Sequence, residues 1–408
     1  MVFNRVKSFQ IKKSILALTI ACFPGLQKLA IVTLIMQLDD AYAVGNFATI
    51  TALPLFISLL TGAGFGAKLL KLVPGESRLK QKEYFSKVAM ASISYTFLAV
   101  ISLLLLYVFE IIQDPITMSI YLLSISVVQL IRHYYLAARN YLALVFFDVI
   151  QLVLMVTPIF FLSDINTYII ISSLTALGFS FIWYLKVISI FRFSKGYLKD
   201  KEIFQFSANN ILSAGVFSLL PLVLENFYGK AVTGEVYIIV SFFSLFLLLP
   251  RAFSNYKTPV LVELLKRNPL KFNLGATIFQ KRYTMLTILC LLTSLTASSL
   301  AIHFKLTQVL NISLLSIFDL LTIVLFIFSG SFGVVQGVVL FVLGQQKYNL
   351  YSNILFFSTY FVIVALFYFI GEVSLSHFFI VSSLVSFARL PYLFLHSKKA
   401  LNNTKELT

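Results

Sequence analysis

Residues 14–36 read SILALTIACFPGLQKLAIVTLIM. The run is apolar almost throughout, marked only by the pair Pro24-Gly25 and by one charge, Lys28. Roughly 20 apolar residues rising 1.5 Å each cross the hydrocarbon core of a bilayer, so the segment is long enough to span. Arg5, Lys7, Lys12 and Lys13 precede it as in a signal peptide, and Ala21-Cys22 sits where a lipoprotein signal is cut. The run is too long for a signal core, and Thr19 stands where such a site wants a larger aliphatic residue, so it reads as a retained first span.

Working outward, the same pattern recurs. The chain has 408 residues, 59% hydrophobic and 12% charged, too much apolar surface for a water-soluble core. Twelve spans of about 20 residues can be drawn, at 14–36, 42–69, 88–112, 116–138, 141–162, 167–191, 206–228, 236–255, 283–303, 314–343, 350–370 and 375–395. All the lysines and arginines except Lys28, Arg132, Lys230 and Lys305 fall in or beside every second break between spans. Cationic loops stay in the cytoplasm during insertion, which sets both termini on that side. The intervening breaks carry Asp39, Asp40, Glu110, Asp114, Asp164, Glu235 and Glu372.

Two short strings recur. Val127-Val128-Gln129 precedes Tyr141 at the spacing at which Val334-Val335-Gln336 precedes Tyr348, and Val44-Gly45-Asn46-Phe47 parallels Thr233-Gly234-Glu235-Val236-Tyr237. They predict a duplicated all-α protein: six helices in residues 1–200, six in 201–395, and a cytoplasmic tail over 396–408.

The net charge of +16 is spread over many loops, with no basic, aromatic surface for nucleic acid. Two cysteines, Cys22 and Cys290, give neither a disulfide framework nor a metal site. There is no P-loop and no nucleophile elbow, and no cofactor is expected. Gly62-Ala63-Gly64-Phe65-Gly66 echoes a dinucleotide fingerprint, but it lies in a span. Gly62 and Gly66, like Gly333 and Gly337, are instead spaced for close helix packing. Asn311-Ile312-Ser313 and Asn402-Asn403-Thr404 match the glycosylation pattern, which is common by chance.

Charges inside spans are the sharper signal, since each costs ~2.5–3.5 kcal/mol near the bilayer centre. Lys28 follows the helix-loosening Pro24 by one turn and would point into a cavity and attract an anion, or snorkel to the interface. Gln129, Arg132 and His133 share one helix face, where the guanidinium could bind phosphate or a sugar acid, or reach the cytoplasmic rim. Asp148, Glu225 and Asp319 could each hold a coupling proton or sodium ion, or pair with a cation. Tyr134 and Tyr135 could stack on sugar rings.

With its span count, its two halves, the entries Gly45-Asn46-Phe47 and Gly234-Glu235-Val236-Tyr237, and Leu60-Thr61-Gly62-Ala63-Gly64-Phe65-Gly66 closing the second span, the chain resembles the polysaccharide exporters of the multidrug/oligosaccharidyl-lipid/polysaccharide (MOP) flippase superfamily. Within them it looks most like the bacterial O-antigen flippases. That resemblance implies two pseudo-symmetric six-helix bundles around a central cavity, with alternating access between them. It implies a multi-pass protein of the bacterial inner membrane that carries an undecaprenyl-diphosphate-linked oligosaccharide to the periplasmic leaflet. Its partners would be that lipid-linked substrate, membrane lipids and other polysaccharide assembly proteins. Lys28, Arg132, Gln129 and His133 would then meet the anionic head group, and the protein would not be an enzyme. The alternatives are a multidrug exporter of the same superfamily, which usually has acids in the first span, or a membrane-embedded polymerase, which usually has a large external loop.

Overall fold

A computed structural model describes residues 2–162, 164–188, 195–303, 314–371 and 373–406. Lys305, Asn311 and Glu372 lie outside them. Among the described residues all regular structure is helical, as lipid requires of a chain that must satisfy its backbone internally.

The first half comprises α1 (Val2–Leu38), α2 (Ala41–Leu72), α3 (Arg78–Val108), α4 (Pro115–Ala137), α5 (Tyr141–Phe160) and α6 (Ile165–Val187). The second begins with α7 (201–228) and α8 (230–267), joined at Gly229, whose φ of 78° only glycine adopts freely. It continues with α9 (Pro269–His303), α10 (Ile317–Val342), α11 (Gln346–Ile370) and α12 (Leu375–Asn403). Several helices outrun the expected spans. α3 starts before residue 88, α8 passes residue 255, α9 starts before 283, and the last helix continues to Glu406, into the stretch expected as a tail. A hydropathy reading sees the apolar middle of a helix and misses the charged turns that project from the membrane.

Two acids of the non-basic breaks, and Asp319 just inside a third span, cap helices. Asp40 and Asp164 accept the Ala43 and Thr167 backbone N–H groups at 2.8 and 2.7 Å, and Asp319 and Ser316 form a capping box. At Asp164, hydrogen bonds from the Thr167 side chain and backbone hold the carboxyl below its ordinary range.

The repeated glycines meet. A Cβ on Gly45 would stand 2.0 Å from the Lys230 carbonyl oxygen, and one on Gly234 would stand 1.9 Å from that of Ala41. Residues 41 and 45 therefore relate to 230 and 234 by a shared offset, the signature of an approximate two-fold axis between α2 and α8.

Core packing differs between the two faces. On the acidic side one apolar core runs through both halves, joining Ile35 of α1 and Phe47 of α2 to Leu220, Ile239 and Phe326. On the basic side it parts into two. One core is built around Phe85, Tyr134 and Phe147 in the first half, and the other around Leu261, Phe272 and Val339 in the second. The halves thus share one core on one face, and on the other a cleft marks where the core divides, bridged by ion pairs and by Tyr141 against Tyr256.

Candidate functional site

Lys28 stands at the floor of that cleft. Ile31, one turn on, belongs to the joint core, and Ile20, two turns back, belongs to the first-half core. The Lys28 ammonium lies 3.8 Å from the centroid of the Tyr237 ring on α8. A cation over a desolvated ring gains about 0.5–2 kcal/mol, so Tyr237 holds the charge between the halves. Pro24 does not interrupt α1, and Gly25 beside it brings α1 onto α8, where a Cβ would touch Leu248 at 3.1 Å.

Arg251 on α8 shares the floor and its charge is felt at Lys28. Its side chain is exposed. Neither cation forms a salt bridge among the described residues. Two like charges in a poorly hydrated site repel, and an anion between them would relieve both.

Arg132 points elsewhere. It is ion-paired to Asp148 of α5 and donates to the Ile20 carbonyl of α1 at 3.2 Å, so it ties three helices of the first half together. Gln129 donates to Ser58 at 3.1 Å, and His133 Nδ1 lies 2.7 Å from the Gln129 carbonyl. Gly62 and Gly66 make room for these side chains: a Cβ would meet Gln129 Oε1 at 2.6 Å and His133 Cγ at 2.4 Å. Gly333 and Gly337 similarly approach Leu393 and Asn349. Asp148 and the Ile20 carbonyl hold the Arg132 guanidinium within the first half, while the Lys28 ammonium faces Tyr237 of the second.

The other acids are also engaged. Glu225 lies 3.6 Å from the Lys230 ammonium. Asp319, besides its cap, accepts from Ser376. Tyr134 and Tyr135 pack against Phe85 and Trp183 within the first-half core.

Two cations were passed over in the sequence. Arg251 and Arg389 both fall beside basic breaks in the sequence; Arg251 lies within α8, and Arg389 sits at the junction of the helical stretches Leu375–Ala388 and Leu390–Glu406. Arg389 is 5% exposed. It donates to Asn353 Oδ1 at 3.0 Å and to the Gly330 carbonyl at 3.1 Å, and stacks 4.6 Å from the Phe356 ring. α10 unwinds at residues 330–333, and the freed carbonyls of Gly330 and Ser331 are taken by Arg389 and by the Tyr283 hydroxyl. The signal available was the lack of any acid within a turn of either arginine.

Charged pairs bridge the rim of the cleft. Lys68 of α2 contacts Asp200 at 2.8 Å and Glu202 of α7 at 2.6 Å, and Lys71 reaches Glu202 at 2.5 Å. Across the other edge Arg139 contacts Glu263 at 2.6 Å, and Lys266 lies 3.7 Å from Glu76. Partial burial raises the Glu202 carboxyl, but hydrogen bonds from Lys68 and Lys71 and their charges outweigh it and hold the group below its ordinary range. Among the described residues no cluster of His, Cys, Asp or Glu could hold a metal ion.

This arrangement of two six-helix halves is a polytopic membrane fold. Solved structures of MATE proteins share it along almost the whole chain. MATE in the bent conformation superposes with a TM-score of 0.68 at 16% identity, covering 97% of this chain and 96% of the other. MATE in complex with MaD3S gives 0.70 at 15% identity, with the same coverage. An outward-facing multidrug resistance MATE family transporter of the MOP superfamily gives 0.63 at 15% identity, covering 98% and 96%. The chain therefore has the fold of MATE transporters of the MOP superfamily. No protein-family model matches the sequence, and no curated protein matches it.

Proposed function

We propose that the protein is a flippase that carries an undecaprenyl-diphosphate-linked O-antigen unit, or a related surface polysaccharide unit, from the cytoplasmic to the periplasmic leaflet of the bacterial inner membrane. The basic face is then cytoplasmic. The observation that supports this reading is Lys28, a cation deep in the first helix that packs on Tyr237 of the second half and has no salt bridge among the described residues, with Arg251 likewise without one on the same helix as Tyr237. A diphosphate supplies the missing negative charge, and charge-assisted hydrogen bonds to it are among the stronger contacts a protein makes. The sugar would occupy the cleft and the polyprenyl tail would stay in lipid. Uptake from the basic face would part the rim pairs Lys68–Glu202 and Arg139–Glu263, and release on the other face would part the joint core while those pairs hold, which is alternating access between the halves.

The test is complementation. A Lys28→Ala/Arg251→Ala double variant should insert normally yet fail to restore surface polysaccharide in a flippase-null strain, and full restoration would overturn the assignment. The second reading, multidrug export, follows from the likeness to a multidrug resistance MATE family transporter. It stands if the wild-type chain lowers cellular accumulation of a cationic dye and leaves the polysaccharide defect uncorrected.

A further inference from the structure

Within the first half, separate from the cleft, α3, α4, α5 and α6 enclose a cavity of about 380 Å³ on the basic face. Arg78, Lys82 and Lys186 line it, with Tyr134, Tyr135 and Asn140, and no carboxylate is among its lining residues. None of these three cations is ion-paired within the described residues. Their neighbours on the same face differ: Lys68, Lys71, Lys80 and Lys87 each meet an acid. Lys82 is held by donating to the Lys186 carbonyl at 3.4 Å, Lys186 lies 5.6 Å from the Trp183 ring centroid, and the charge of Arg78 reaches Tyr134 and Tyr135. Three cations thus line one polar space with no acid paired to them among the described residues.

The surroundings suit a lipid. Leu142 and Phe146 on α5, and Ile182 and Leu185 on α6, are exposed apolar side chains on the turns beside the cavity. Trp183 packs against two of the lining residues, its ring 5.4 Å from that of Tyr135 and 5.6 Å from the Lys186 ammonium; indole rings favour the membrane interface. A cationic pocket between helix ends, bordered by apolar side chains that face lipid, recognises a phosphate ester carrying acyl chains. We propose that this cavity is a binding site for the phosphate headgroup of an anionic phospholipid in the leaflet on the basic side. The lipid would be a bound partner of the first half and would not share the transport cleft.

Native mass spectrometry of the full chain released from detergent tests this. Wild-type protein should retain phosphatidylglycerol at least tenfold over phosphatidylcholine at equal concentration. Arg78→Gln/Lys82→Gln/Lys186→Gln should lose that preference, while Lys271→Gln/Lys398→Gln/Lys399→Gln, which removes equal charge elsewhere on the chain, should keep it. Equal retention of the two lipids by wild-type protein overturns the proposal whether or not the variants fold, and so does loss of preference in both variants. If millimolar inorganic phosphate displaces the lipid completely, the site serves a soluble anion and the lipid assignment fails.

Discussion

Lys28 and Tyr237 join the two halves of the protein through a single cation–π contact, the ammonium 3.8 Å from the ring centroid. The contact lies where the joint apolar core ends and the cleft begins. On the proposed function, Lys28 is a substrate-binding charge held at a structural cost. Lys28→Met should leave thermal stability unchanged or raise it, because an unpaired cation is replaced by an apolar side chain of similar length. Transport should fall at least tenfold. A melting curve and a polysaccharide assay on the same variant check it, and a destabilised, active protein would contradict it.

Arg132 and Asp148 behave differently because each satisfies the other. Removing one partner of a buried pair typically costs about 3–5 kcal/mol, whereas replacing both by apolar residues is often nearly neutral. Asp148→Asn should markedly lower the melting temperature, and Arg132→Met/Asp148→Leu should recover most of the loss. Equal damage from the single and double changes would show that the pair acts beyond holding α1, α4 and α5 together.

Gly45 and Gly234 tolerate no side chain, since each Cβ would fall about 2 Å from a backbone carbonyl of the facing helix. Overpacking costs typically about 1–3 kcal/mol where neighbours can yield, and a backbone carbonyl in a packed helix yields little. Gly234→Ala should prise α2 from α8 and expose the joint core to a thiol probe placed at Ile238. Gly178→Ala, where a Cβ would meet nothing within 4 Å, should be silent in the same assay.

Rim pairing at Glu202 is sensitive to acid. Its native carboxyl titrates below the ordinary value of 4.5, so the unfolded chain takes up the proton first as pH falls. The stabilisation is complete above that value and is lost as pH drops through the depressed native one. Melting temperatures of wild type and Glu202→Gln should differ near neutral pH and converge in acid. A gap that persists at low pH would assign the effect to packing.

The apolar spans, the alternation of basic and acidic breaks and the paired glycines at 45 and 234 were all legible along the chain. Each is a local property: hydropathy sums over neighbours in sequence, and the need for glycine follows from a backbone approach made wherever its motif recurs. Lys28 also stood out, as a charge in an otherwise apolar run. The partner of each charge was decided only by tertiary packing. Arg132 belongs to Asp148 because α4 lies against α5. Arg251 completes the floor because α8 continues past residue 255 and turns that face toward α1. Arg389 is buried because α10 unwinds beside it and offers a free carbonyl. An ionisable group in a membrane settles where its desolvation is best repaid, and that depends on which helices adjoin it in space.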